Sequence, residues 1–165
     1  MGHRGFASLE KYFDVQIITQ NVDNLHERAG STKVLHLHGE LTKARSTVAP
    51  YLVYDIGYKD IKIGDLCELG SQLRPHIVWF GEAVPAMDEA VSIAAKADIF
   101  VVAGTSLNVY PAAGLTGYAP REASMWLIDP ADVEVPYKRK VEIIKEKAGK
   151  GTDILIRRLL KRYGE

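Results

Sequence analysis

The sequence is poor in the features that would settle its class at a glance. It has one cysteine, Cys67, so neither an internal disulfide nor a zinc site built only from cysteines can form within one chain. It has no excess of either charge, with 21 Lys plus Arg against 21 Asp plus Glu, so no net field draws it to nucleic acid or to an anionic membrane. It has no long apolar run. The start, MGHRGFASLEKYF, lacks the apolar centre of a signal peptide, and the most apolar stretch, Ile99–Ala103, is far below the roughly 20 residues that span a bilayer. It contains no G-x-G-x-x-G, no internal repeat and no low-complexity linker. These absences lead to the expectation of a cytoplasmic protein with no nucleic-acid or membrane partner.

What is present fits one ordinary domain of 165 residues, 47% hydrophobic and 25% charged. Four short apolar runs close on polar groups: Val15–Ile18, Lys33–Gly39, Asp98–Ala103 and Met125–Ile128. Near-continuous apolar runs imply strands covered on both faces, as in a parallel sheet between helices. Helices are expected at Ala86–Ala97, with Met87, Ala90, Val91 and Ala94 on one face, and at Pro111–Ala119. Two more are expected at Lys140–Lys147 and at Thr152–Tyr163, the latter burying Ile154, Leu155 and Leu159. The alternation predicts an α/β layered fold. Residues 41–74 break the rhythm and read as a small excursion, a hairpin carried on the main sheet.

In open α/β sheets ligands bind beyond the carboxyl ends of strands, which directs attention to Gln20, Asn21, Asp23, His38, Gly104, Thr105, Ser106 and Asp129. Gly104 permits close approach of backbone, Thr105 and Ser106 offer donors to phosphate, and Asp129 suits ribose hydroxyls. The run Ala148-Gly149-Lys150-Gly151-Thr152 is not a P-loop, because Gly151 stands where Ser or Thr is required. It reads instead as a helix-ending glycine pair. His36 and His38 alternate, so both point to one face. They admit three readings: structural histidines, a metal pair completed by Asp23 or Glu82, or a lone general base at His38. Val78–Glu82 reads either as a buried strand with Trp79 or Phe80 in the core, or as an edge that accepts an extended peptide.

Taken in series, these segments resemble the sirtuins, NAD-dependent protein-lysine deacylases. The matching text is Thr19-Gln20-Asn21-Val22-Asp23 with Leu25-His26 and Ala29-Gly30, then His36-Leu37-His38-Gly39-Glu40-Leu41 and Leu73-Arg74-Pro75-His76-Ile77-Val78-Trp79-Phe80-Gly81-Glu82. It continues with Gly104-Thr105-Ser106-Leu107, Val109-Tyr110-Pro111-Ala112-Ala113-Gly114 and the strand ending at Asp129. The resemblance implies a Rossmann-like parallel sheet with flanking helices and a small module inserted at about 41–74 of a single domain, 1–165. It implies that His38 is the base that takes a proton from the NAD ribose, the products being free lysine, nicotinamide and O-acyl-ADP-ribose. Gln20, Asn21, Asp23, Gly104, Thr105, Ser106, Asp129 and Ala148 are then cofactor contacts, and Val78, Phe80 and Gly81 hold the acyl-lysine protein substrate. This favours the peptide-accepting edge over the core strand and demotes the metal pair.

Three departures qualify the resemblance. The opening strand and Gly-Ala-Gly loop of the family, with the Tyr and Arg that mark removal of acidic acyl groups, have no counterpart here. The expectation is therefore an N-terminally truncated chain whose sheet surface is exposed and favours self-association. The alternative outcome is an inactive remnant that acts at most as a nucleotide- or protein-binding module. Most sirtuins carry two cysteine pairs on zinc where this chain has Cys67 alone, so no zinc or other metal is expected. The strand-end residue on the ribose, commonly Asn, is Asp129.

Overall fold

The computed structural model describes residues 2–104, 112–131 and 140–164. The first elements are α1 (Gly2–Leu9), β1 (Ile17–Thr19), α2 (Leu25–Ala29) and β2 (Val34–His36). Then come β3 (Gly39–Ser46), β4 (Val53–Asp55), β5 (Leu73–Ile77), α3 (Met87–Ala94) and β6 (Ile99–Ala103). A 3-10 turn (Ala112–Gly117), β7 (Ser124–Ile128), β8 (Val141–Ile144) and α4 (Ala148–Tyr163) complete the chain.

The parallel strands form two ladders, β1–β2 and β6–β7–β8, and an antiparallel sheet of order β4-β3-β5 lies between them in sequence. The apolar runs account for the second ladder. Alternate residues of β6 serve different cores: Ile99, Val101 and Ala103 pack on a cluster of Leu9, Trp126, Ile128, Ile144, Leu155 and Leu159. Phe100 packs on the other, with Leu37, Ala90, Ala94 and Leu115. Trp126 is 0% exposed, and burying each such side chain contributes roughly 1.5–3 kcal/mol. β7, paired on both sides, is buried from Met125 to Ile128, whereas β6, paired only with β7 among the described residues, is half-buried at four of its five positions. The composition of β6 is that of an inner strand, yet it sits at an edge.

α1 crosses α4 where small residues allow close approach. A Cβ on Gly5 would lie 2.5 Å from Thr152 Oγ1, and one on Gly2 would lie 3.2 Å from Ala148 Cβ.

The α/β, Rossmann-like architecture expected from the sequence is present, and α3 buries Ala90 and Ala94 as its periodicity requires. Four local expectations are corrected. Lys140–Lys147 is not a helix, because Val141–Ile144 pairs in parallel with Met125–Ile128 and the β-branched Val-Glu-Ile-Ile run fills the sheet edge. Gly149 and Gly151 do not end a helix. They lie in the first turn of α4, where a Cβ on Gly151 would stand 2.2 Å from Ile128 Cγ2, so glycine lets the helix seat on β7. Val78–Glu82 is not a strand, because β5 ends at Ile77 and the chain turns through positive φ at Gly81. The excursion is a three-stranded antiparallel sheet rather than a lone hairpin, with a bulge in β3 between Glu40 and Ala44. No helix among the described residues is long and apolar enough to cross a membrane.

Candidate functional site

β1 and β2 run parallel, with Thr19 opposite His36, so the segments after both strands emerge at the same end. There the loop after β1 is held through its backbone. Gln20 O faces His38 Nδ1 at 3.1 Å, Asn21 O faces His36 Nδ1 at 3.0 Å, and Val22 O accepts from Leu41 N–H at 2.8 Å. Asn21 N–H donates to Thr19 Oγ1 at 3.1 Å, and Asp23 Oδ1 accepts from Leu25 N–H at 3.0 Å, turning the chain into α2.

The His38 contact fixes the ring. A carbonyl has no proton to give, so Nδ1 carries the hydrogen, and in the neutral ring the lone pair is on Nε2. Val78 N–H donates to His38 O at 3.0 Å, which ties the end of β5 to the same turn. Gly39, at φ +78°, is needed next to it because a Cβ there would stand 2.0 Å from His76 O.

The turn after Val78 is closed by Glu82. Its carboxylate accepts from Arg74 Nη1 at 2.7 Å, from Arg45 Nη2 at 3.0 Å and from Trp79 N–H at 3.0 Å. The Arg74 bonds above all, then the Trp79 amide, hold the Glu82 carboxyl down to about 2. The same two arginines donate to Ile77 O at 3.0 and 3.2 Å. Trp79 and Phe80 are thereby displayed to solvent, at 53% and 104% exposure, rather than packed in the core.

His38 therefore bonds both Gln20 and Val78, with Asn21 and Asp23 following Gln20 on the same loop and Phe80 and Gly81 on the turn after Val78. A second group lies at the carboxyl ends of the other ladder. Gly104 N–H donates to Ile128 O at 3.2 Å, and Asp129 N–H donates to Ile144 O at 3.3 Å while its Oδ1 accepts from Ala131 N–H at 2.8 Å. Ala148 opens α4 and packs against Gly2. Thr105 and Ser106 lie outside the described residues, and among those described no hydrogen bond joins the two groups. A cavity of about 430 Å³, lined by Leu41, Ile56, Ile61, Ile63 and Leu73 among others, lies on the antiparallel sheet and includes none of the predicted site residues.

The metal pair of His36 and His38 is not assembled, since among the described residues His38 belongs to no cluster of possible ligands, and neither expected third ligand is available. Asp23 is committed to Leu25 N–H and Glu82 to two arginines. The acids whose ligand atoms lie within 4.8 Å of those of His36 and of one another are Glu27 and Glu40. Both are already matched, Glu27 by His36 Nε2 at 2.7 Å and Glu40 by Lys43 Nζ at 2.5 Å. Glu27, Arg45 and Arg74 were not singled out in the sequence. Arg74 stands inside a recognised block and Glu27 and Arg45 close to one, and charge alone does not separate them from a solvated face.

The Sir2 family model matches residues 1–111. An NAD-dependent protein deacylase of Bacteroides thetaiotaomicron is 53% identical over 159 residues, covering 93% of this chain and 68% of that protein. One of Helicobacter pylori is 51% identical over 146 residues, covering 88% of this chain and 63% of that protein. Among solved structures, a Sir2 homolog in complex with NAD superimposes with a TM-score of 0.84 at 38% identity, over 98% of this chain and 64% of that one. A Sir2–p53 peptide–NAD+ structure does so with a TM-score of 0.76 at 30% identity, over 99% and 69%. The chain thus spans about two thirds of the length of these relatives. With a family model covering most of its residues and relatives sharing half of its positions, this chain belongs to the Sir2 family.

Proposed function

We propose that the chain is an NAD-dependent protein-lysine deacylase, transferring the acyl group of a modified lysine to ADP-ribose with release of nicotinamide. The observation that carries this reading is the His38 ring, whose Nδ1–H is committed to Gln20 O at 3.1 Å so that Nε2 is the nitrogen of the neutral ring that can accept a proton. The names of the curated relatives, and the NAD and peptide complexes among the solved ones, support it. Gln20, Asn21 and Asp23 border the ribose and nicotinamide, and carboxamides with a carboxylate favour positive charge as it develops on a sugar. Gly104, Thr105, Ser106, Asp129 and Ala148 take the remainder of NAD. Gly104 fits, since its φ is +64° and a Cβ there meets nothing within 4 Å, so a ligand can lie against bare backbone. Val78, Phe80 and Gly81 hold the substrate peptide, with the exposed aromatics walling the lysine stem. The whole chain acts as one catalytic unit with residues 41–74 as an inserted module, works in the cytoplasm and uses no metal.

The test is mass spectrometry of acetyl- and succinyl-lysine peptides incubated with the chain and NAD. NAD-dependent deacylation that falls at least 100-fold in His38→Ala is the expected result, a general base being worth about 10²–10⁴. No turnover by folded protein would overturn the reading. That result would favour the second one, an inactive Sir2-type binding module that self-associates, for which the open edge of β6 speaks.

A further inference from the structure

Of the three carbonyls gripped after β1, two are held by simple donors and the middle one is not. His36 presents Nδ1 to Asn21 O at 3.0 Å and Nε2 to Glu27 Oε1 at 2.7 Å, with its side chain only 6% exposed. Neither a carbonyl nor a carboxylate has a hydrogen to donate, so a neutral imidazole can satisfy one contact and leaves the other as two lone pairs in opposition. With Glu27 ionised, both bonds exist together only if the ring donates twice. The surroundings allow this charge. Glu40, the other acid near the ring, is neutralised by Lys43, and Glu27 faces the ring unshared. His26, the neighbouring titratable group on α2, is held below its ordinary value by burial first and then by His3, so it adds no fixed charge at neutral pH.

We propose that Glu27 and His36 are a pair of positioning residues. The carboxylate on α2 holds His36 as a two-armed imidazolium donor, and its second arm sets the Asn21–Val22 peptide, and with it the side chains of Asn21 and Asp23. His38, two residues on, faces one acceptor where His36 faces two, with Nδ1 at 3.1 Å from Gln20 O, so its contact needs a single ring hydrogen. The pair therefore separates two protonation states on one strand end, the charged ring for holding and the neutral ring for chemistry. The importance of Asn21 and Asp23 to cofactor binding rests on the deacylase reading; the state of the His36 ring does not.

The decisive measurement is long-range proton–nitrogen NMR of the full chain labelled with ¹⁵N-histidine at pH 7. Two protonated nitrogens on His36, beside one protonated and one bare nitrogen on His38, is the expected result. A bare nitrogen on His36 would overturn the proposal. Glu27→Ala is expected to move the Val22 and Asp23 amide signals. Glu27→Gln should restore them, because its amide group can donate to Nε2 while Nδ1–H keeps Asn21 O. Unmoved amides in Glu27→Ala, or no recovery in Glu27→Gln, would also overturn it. If the parent chain turns over, Glu27→Ala should raise the KM for NAD about tenfold with kcat changed less than about twofold, the size expected for one charge-assisted bond. An inactive parent would count against the deacylase reading alone, since the nitrogen spectra still judge the pair.

Discussion

Glycine 39 shows how much one residue can decide here. At φ +78°, with His76 O where a Cβ would stand, it lets β3 begin directly after the His38 turn. Gly39→Ala is expected to cost at least about 2 kcal/mol, combining left-handed strain with a displaced strand, as read from urea unfolding. Glu82 offers a second prediction, with its sign fixed by the direction of its shift. Its carboxyl is held at about 2 against an ordinary 4.5, so its contribution is present above about 4.5 and lost only as pH falls through about 2. Trp79 fluorescence, taken as the difference from Trp79→Phe, should therefore stay constant from pH 7 to about 4. In Glu82→Ala it should already be altered at pH 7. At this scale the sequence was legible where a residue acts alone: His38 stands out as a histidine ending an apolar run before a glycine. Glu27 did not, because its role depends on α2 being laid beside β2.

Elements were read well where apolar composition matched the final environment and badly where pairing decided. Met125–Ile128 has the continuous apolar text of an inner strand and became the buried part of β7, whereas Ile99–Ala103 has the same text and became β6, paired on one side only among the described residues. Val141–Ile144, set among lysines and glutamates, has local helix character that the ladder with β7 overrides. The short helices α1 and α2 have few turns and depend on each other, with the rings of His3 and His26 meeting edge to face at 4.5 Å. That contact is acid-sensitive. Burial lowers the folded-state value of His26 below its ordinary 6.5, and His76 is lowered for the same first cause, so the folded protein binds fewer protons than the unfolded chain. Stability is then full above about 6.5 and falls as pH drops below it. Urea midpoints at pH 7.5 and 5.5 should show this loss, and His26→Gln should shrink it.

For the whole molecule, the central fact is a pair of parallel ladders that share one hydrophobic cluster, with Ile18 and Leu35 of the first and Phe100 of the second packed on Leu37, Ala90, Ala94 and Leu115. β6 presents one unpaired edge among the described residues. Edges of this composition recruit other strands. Analytical ultracentrifugation is expected to show concentration-dependent self-association in the micromolar range, and a chain that stays monomeric up to about 100 μM would argue against an accessible edge. Which strand bears the edge became legible only with the pairings.

The grip on the loop after β1 falls on Gln20 O, Asn21 O and Val22 O, main-chain atoms that every amino acid possesses. Anchorage and display are thus written in different residues. His36, His38 and Glu27 fix where the loop runs, Asp23 turns it into α2, and positions 20 and 21 are free to change what it shows. A designer can replace the displayed side chains as one swaps type in a locked frame, altering the ligand addressed while the scaffold stays put.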